Sequence, residues 1–134
     1  MTANGTPTAA PTGPLEHRHL VHLLALADAT VVPSIFPEAF GMVAAEAAAA
    51  GCPPLVARHS GLEEIAEGLE AEYPPEHRDL TSFAGGDVDD LTKKMRRLLA
   101  LPHGALEEPA RRAAVERWSW GRVGERLLDP LQLL

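Results

Sequence analysis

The segment spanning residues 29–51 constrains the fold more than any other part of this sequence. It begins with the short apolar run at residues 29–32, which contains β-branched side chains and does not alternate with polar residues. Such a run is typical of a strand in a parallel sheet that is buried on both faces. A proline-containing loop follows, and an alanine-rich stretch then ends at Gly51, a residue that suits a helix C-terminus. The segment therefore predicts a strand, a loop and a helix, the basic unit of an α/β fold.

Two carboxylates and a helix N-terminus give this segment its chemistry. Glu38 lies in the loop, and Glu46 lies eight residues later inside the predicted helix. Eight helical residues rise about 12 Å and turn about 80° beyond two full turns, so the two acids cannot share one proton or one metal ion. First-turn amides lack intrahelical acceptors and favour an anion, and Gly41 lets a ligand approach the backbone. We therefore expect a long ligand with a central diphosphate and hydroxyls at both ends, such as a nucleotide sugar.

Residues 37–46 read Pro-Glu-Ala-Phe-Gly-Met-Val-Ala-Ala-Glu and resemble the E-x7-E motif of retaining glycosyltransferases of the GT-B fold. The closest resemblance is to family 4, the glycosyl transferases of group 1, whose members have two facing Rossmann-like domains. It covers roughly residues 12–129 and corresponds to the donor-binding, C-terminal part of such an enzyme. The resemblance implies that Glu38 is the catalytic-site acid on the donor sugar and that Glu46 contacts ribose hydroxyls. The donor-binding residues that it implies are Glu38, Ala39, Phe40, Gly41, Met42, Val43 and Glu46.

The implied reaction is the retaining transfer of a hexosyl group from a nucleotide sugar, with UDP-sugar expected from family frequency, to an unidentified acceptor. Hydrogen-bond donors would stabilise the leaving diphosphate, so neither a metal nor another cofactor is expected. His19 and His22 lie three residues apart, but a third ligand is not evident, and we interpret them as part of a polar helix face. The N-terminal domain and the cations that neutralise the diphosphate in the family lie outside the resemblance, so we expect the isolated chain to be inactive.

An alternative is a non-catalytic interaction or oligomerisation module that has retained this fold. An incomplete sheet exposes an edge strand, and exposed edges favour pairing with another chain. The partner would be a second copy of the chain or the missing N-terminal half. A neighbouring coding frame for that half would favour the glycosyltransferase hypothesis.

Length and composition limit the number of domains and exclude several classes of function. The 134 residues suffice for one domain, which we divide into a disordered leader at 1–11 and a partial Rossmann-like, nucleotide-sugar-binding domain at 12–134 with a helical C-terminus. The formal net charge of −7 argues against a nucleic-acid binder. No signal peptide or membrane-length apolar run is evident, and the single cysteine, Cys52, is expected in the core; together these favour a cytoplasmic location. Contact of the basic cluster within residues 93–97 with a membrane surface is an open alternative.

Further helices are predicted at residues 16–27, 88–101 and 106–117, and further strands at 52–57 and 80–83. Asp87 is expected to be the N-cap of the helix at 88–101. Trp118 and Trp120 are expected to be packing anchors, because no basic groove accompanies them for base stacking.

The turn after the second predicted strand departs from the family pattern. Residues 59–61 read His-Ser-Gly, whereas the family has a glycine-rich loop there, often with two adjacent glycines. We predict a strand-to-helix turn in which Ser60 is the N-cap and Glu63 completes a capping box. A direct ligand contact from this turn is an equally open alternative.

Overall fold

The computed structural model describes residues 9–37 and 40–119, except for the side chain of His17. Strands β1 (Thr30–Val32), β2 (Pro54–Ala57) and β3 (Ser82–Phe83) form a parallel sheet in that order. The helices are α1 (His17–Leu26), α2 (Met42–Ala49), α3 (Ser60–Glu72), α4 (Val88–Ala100) and α5 (Glu107–Ala113), with a 3-10 helix at Pro75–Leu80 and a π-helical turn at Ala114–Trp118. The predicted α/β fold, a short parallel sheet flanked by helices, is confirmed.

The sheet is buried at its centre and half-buried at β1. Val31 is paired with Leu55, and Ala57 is paired with Phe83, so β2 lies between the other two strands. All of β2 is buried, whereas all of β1 is only partly covered. The prediction that the first strand is buried on both faces is therefore wrong. Among the described residues β1 has one neighbouring strand, and its outer edge and flanks lack the cover that β2 receives.

The core forms where α2 and α3 pack against β2 and α5 packs against both of these helices. Leu55, Leu62, Ile65 and Leu69 are fully buried there. Burying a leucine or isoleucine side chain stabilises a fold by about 1.5–3 kcal/mol. Helix α2 contributes only alanines to the core, and these small side chains let its backbone approach its neighbours closely. The alanine-rich composition of α2 thus follows from close packing.

The start of α3 differs from the predicted capping box. The N-cap position is His59, which makes no side-chain capping bond, and Ser60 is the first helical residue with a left-handed φ of 50°. The Ser60 hydroxyl lies 3.3 Å from Nδ1 of His59, and Glu63 lies 3.8 Å from the Arg58 guanidinium. The predicted Ser60 N-cap is therefore wrong, because both polar side chains have other partners. At α4, by contrast, the predicted Asp87 N-cap is confirmed.

Trp118 is a packing anchor, as predicted. Its indole lies against α3 at Gly68, where an added Cβ would come within 2.6 Å of Cζ2 of the tryptophan. The Phe40 ring meets the indole edge-on, with the ring centroids 6.3 Å apart. Gly68 therefore lies within α3 to make room for the indole and does not end the helix. Trp120 and the rest of the predicted helical C-terminus lie outside the described residues, as do residues 1–8 of the predicted leader.

Candidate functional site

The loop between β1 and α2 forms an open cleft at the carboxyl edge of the sheet. In open α/β sheets this is the edge at which ligands bind. The cleft, called here the β1 cleft, is lined by Val31, Val32, Pro33, Ser34, Ile35, Phe36, Phe40, Gly41, Met42 and Val43. Most of these side chains are apolar, so polar recognition in the cleft depends mainly on the backbone.

Gly41 is essential to the turn that starts α2. Its φ is 85°, a left-handed value that residues with side chains rarely adopt, and the residue is buried. An added Cβ would lie 2.5 Å from Cδ2 of Leu62, so α3 occupies the space beside it. Gly41 therefore has a packing role, whereas the expected approach of a ligand to its backbone stays a prediction.

The first turn of α2 presents a partial positive charge without a carboxylate of its own. The amides of Ala44 and Ala45 donate to the carbonyl of Gly41 at 3.1 and 3.2 Å. The amides of Met42 and Val43 lie too close to the start of the helix to have an acceptor within it, and these residues are 57% and 49% exposed. Because α2 has no acidic residue in its first turn, its dipole favours an external anion at this end.

Glu46 lies in a second cleft on the other side of the α2 N-terminus. It lies between α2 and the π-helical turn that directly continues α5, and it is called here the α2–α5 groove. The groove has a volume of about 520 Å³ and is lined by Phe40, Met42, Ala45, Glu46, Ala49, Glu64, Ala114, Val115, Arg117, Trp118 and Ser119. Phe40 and Met42 line both clefts. The two clefts therefore meet at the start of α2, with the half-buried carboxylate of Glu46 in one of them.

Cys52 lines neither cleft. Its thiol is buried and lies 3.0 Å from the hydroxyl of Thr30, and burial raises the pKa of the thiol. A raised pKa reduces the thiolate fraction, which is the nucleophilic form. The prediction that Cys52 is a core residue is confirmed.

No helix in the described part of the chain is long and apolar enough to cross a bilayer. Within the basic cluster of α4, the amine of Lys94 lies 3.4 Å from Asp90, and Arg97 is paired with Asp79. Part of the basic cluster therefore stabilises the protein itself.

Comparison with known proteins places the chain in a family. Residues 11–117 match the family described as Glycosyl transferases group 1. The chain belongs to this glycosyltransferase family. The matched range contains β1, α2 and both clefts, so the resemblance read from residues 37–46 is confirmed at the level of the family. The three-stranded parallel sheet flanked by helices is consistent with a Rossmann-like half of a GT-B glycosyltransferase.

The curated relatives are longer glycosyltransferases. The chain is 34% identical to the MMP alpha-(1->4)-mannosyltransferase of Mycolicibacterium hassiacum over 81% of its own length and 25% of that protein. It is 34% identical to a GDP-mannose-dependent monoacylated alpha-(1-6)-phosphatidylinositol monomannoside mannosyltransferase of Corynebacterium glutamicum over 90% of its length and 31% of that enzyme. Glycogen synthase of Mycobacterium tuberculosis is 38% identical over 66% of the chain and 22% of the enzyme. The chain thus spans between a fifth and a third of these relatives. No solved structure matches it at a significant level.

The predicted site residues of this glycosyltransferase chain fall around the start of α2. Phe40, Gly41, Met42 and Val43 line the β1 cleft, and Glu46 lines the α2–α5 groove. Glu38 and Ala39 lie outside the described residues, so the catalytic role of Glu38 stays a prediction.

Sequence reasoning missed the contacts of two residues that follow β2. Arg58 pairs with Glu70 and donates to the hydroxyl of Ser82 at 3.1 Å. The imidazole of His59 contacts the backbone carbonyl of Ser34 through Nε2. Both residues directly follow β2, and carboxyl ends of parallel strands share one edge, so their position was the available signal.

Proposed function

We propose that this chain binds the nucleotide-sugar donor of a retaining hexosyl transfer. The observation that carries the proposal is the N-terminus of α2, which has no first-turn acid and lies where the β1 cleft meets the α2–α5 groove. Membership of the glycosyltransferase family supplies the reaction class. An anionic diphosphate with an elongated group on each side suits this arrangement.

Each part of the donor has a proposed partner. The backbone amides of residues 40–43 bind the diphosphate, and the carboxylate of Glu46 accepts hydrogen bonds from ribose hydroxyls in the groove. Glu38 contacts the hydroxyls of the donor sugar at the catalytic centre. As the sugar leaves, charge develops on the diphosphate, and preorganised backbone donors stabilise that charge without reorganisation. In this proposal the anomeric configuration of the transferred sugar is retained, and no metal is needed.

Two nucleoside diphosphates, UDP and GDP, are candidates for the nucleotide part of the donor. UDP is the expectation from family frequency, whereas one relative is named as GDP-mannose-dependent. A second relative is also named as a mannosyltransferase. We therefore propose a nucleoside-diphosphate hexose, with mannose as the first sugar to test. Transfer to an acceptor also needs the N-terminal domain of the family, and the cytoplasm is the proposed location.

Calorimetric titration of the 134-residue chain tests the proposal. UDP, GDP, ADP and their sugar conjugates are compared in the wild type and in Glu46→Gln. A hydrogen bond to a charged group contributes about 1.5–3 kcal/mol, so the variant is expected to weaken the preferred donor by about tenfold or more. The exposed Glu76 at the start of the 3-10 helix provides the control, and Glu76→Gln should bind like the wild type. Absence of binding at millimolar ligand, or equal affinity in Glu46→Gln, would contradict the donor site.

A second candidate function, a non-catalytic interaction module, is favoured by the edge of the sheet. Strand β1 is only half-buried, and the neighbouring side chains of Ile35 and Phe36 are 73% and 75% exposed. Pairing of β1 with a second copy would cover these surfaces. Sedimentation equilibrium distinguishes the candidates: a stable dimer that Phe36→Ser dissociates, together with no nucleotide binding, would favour the module over the donor site.

A further inference from the structure

We propose that His59 is a positioning residue of the donor site, whose imidazole holds the loop after β1 in the shape that lines the β1 cleft. The ligand in this inference is the nucleotide sugar of the proposed function.

The imidazole of His59 lies between the loops that follow β1 and β3. Its Nε2 contacts the carbonyl of Ser34, in the loop after β1. A Cβ added to Gly85, in the turn after β3, would lie 3.7 Å from Cδ2 of the ring. His59 itself follows β2, so its side chain bonds to the loop after β1 and lies beside the turn after β3. These loops form the ligand-binding edge of a parallel sheet.

The backbone of His59 is fixed independently of its ring. Its amide donates to the carbonyl of Ala57 at 3.0 Å, and its carbonyl accepts from the amide of Leu62 at 3.1 Å. Leu62 is fully buried beside Gly41. The imidazole therefore extends from a rigid base that is itself packed against the start of α2.

The contact determines which ring nitrogen carries the proton. A carbonyl oxygen can only accept, so Nε2 of His59 must donate to Ser34. In the neutral ring Nδ1 then accepts, and the Ser60 hydroxyl lies 3.3 Å from it. We therefore expect the neutral His59 side chain to be the Nε2–H tautomer, which gives the proposal a spectroscopic signature.

Ser34 transmits this contact to the β1 cleft. Its carbonyl is held by His59, and its hydroxyl donates to the carbonyl of Phe36 at 3.1 Å. Ile35 and Phe36 line the cleft, and both are exposed. Because loops of exposed residues have few packing contacts to fix them, this bond contributes a large share of the local order. Loss of the imidazole should therefore loosen the cleft wall and weaken donor binding.

The experiment compares His59→Ala, His59→Gln and His103→Ala in the 134-residue chain. A glutamine amide reaches as far as the Nε2 position of histidine and can donate to Ser34. His103 is the control, since it is exposed and bonded to Asp28 at 2.7 Å, away from both the β1 cleft and the α2–α5 groove. Measurements are the histidine tautomer by long-range nitrogen–proton NMR, amide exchange of residues 34–36, and the dissociation constant for the preferred nucleoside diphosphate.

The expected results separate positioning from general stability. His59 in the free wild type is the Nε2–H tautomer, and His59→Ala speeds exchange at residues 34–36. The alanine variant weakens binding by about two- to tenfold, the range of one neutral hydrogen bond, while His59→Gln restores most of the affinity and His103→Ala changes neither property.

Three results would overturn the proposal: an Nδ1–H tautomer, unchanged loop exchange in His59→Ala, or His59→Gln behaving like His59→Ala. The tautomer and the exchange rates are measured without ligand. They therefore test His59 even if the wild type binds no nucleotide, an outcome that would contradict the proposed function instead. Should His59→Ala fail to fold, the wild-type tautomer and the glutamine variant still decide the matter.

Discussion

Helices α2 and α4 begin in opposite ways. At α4 the carboxylate of Asp87 accepts a hydrogen bond from the amide of Asp90 at 3.0 Å, and Asp89 and Asp90 add negative charge to the first turn. At α2 the N-cap is Gly41, and the first turn has no acid. The α4 N-terminus is thus satisfied by the chain itself. Among the described residues no acid caps the α2 N-terminus, which is where the proposed diphosphate binds.

The two helices also differ in what stabilises them. Four alanines of α2 are buried, whereas only Leu98 of α4 is buried among its thirteen residues. Short helices are marginal in water, so α2 depends on tertiary packing, while α4 gains stability from its cap and its charged side chains. A helix that is held by packing does not need a cap, and its first turn can serve a ligand.

The largest expected effect comes from Gly41→Ala, which attacks the packing of α2. The alanine must adopt the left-handed φ of Gly41, and its Cβ would lie 2.5 Å from Leu62. We therefore expect a loss of about 2–4 kcal/mol in the free energy of unfolding. Gly86, just before α4, has φ 79° and no atom within 4 Å of an added Cβ. Urea unfolding should therefore show a smaller loss, about 1–2 kcal/mol, for Gly86→Ala. Equal losses would contradict the packing role of Gly41.

Val43→Glu makes the first turn of α2 resemble that of α4. The side chain is exposed, so the fold should tolerate the change, and the helix dipole should stabilise it slightly. A carboxylate beside the proposed diphosphate site should weaken nucleotide binding by about tenfold or more through repulsion of like charges. Val88→Glu places the same charge at the start of α4 and should leave calorimetric affinity unchanged. Similar nucleotide affinities for Val43→Glu and Val88→Glu would show that the nucleotide does not bind at the α2 N-terminus.

Asp87→Ala removes the side-chain cap of α4. We expect a loss of about 1 kcal/mol in the free energy of unfolding, the usual cost of losing an N-cap carboxylate. Nucleotide affinity should not change, because α4 is absent from the residues that line both clefts. Thermal unfolding together with calorimetry measures both quantities, and a binding defect in this variant would show that the two helices are not independent.

The smallest effect is expected for the exposed ion pair between Asp79 and α4. The hydrogen bond from Arg97 lowers the pKa of Asp79 in the folded protein. A lowered pKa stabilises the fold above the ordinary pKa of aspartate, and this contribution is lost as the pH falls through the folded value. Asp79→Asn should therefore cost less than Asp87→Ala at neutral pH, and the difference from wild type should shrink as the pH falls below about 4. A difference that grows in acid would contradict this account.

Sequence patterns predicted the elements better than their contacts. Local composition and spacing predict β1, α2, α4 and the Asp87 cap, because the residues that specify each of them are close together in the chain. The role of Gly68 could not be read in this way, since it depends on Trp118, fifty residues away. The Ser60 cap was wrong for a related reason. The pattern fits a capping box, but the hydroxyl is paired with His59, whose imidazole contacts Ser34, twenty-five residues away.

The candidate site shows the same division. The motif at residues 37–46 identified the family and the residues around the α2 N-terminus. The contact between His59 and Ser34 joins loops that are twenty-five residues apart, so it cannot be predicted from the local spacing of residues. The half-burial of β1 likewise depends on what lies beside the sheet, which an apolar run cannot specify.

The most direct test of the account is an amide NMR titration of the 134-residue chain with the nucleoside-diphosphate hexose that binds best in calorimetry. It compares the two helix N-termini in one sample. The account predicts saturable shifts at residues 40–43 and 46 and no shifts at residues 87–90. Shifts at both N-termini would indicate non-specific anion binding, and a folded chain without shifts at millimolar ligand would contradict a donor site on α2.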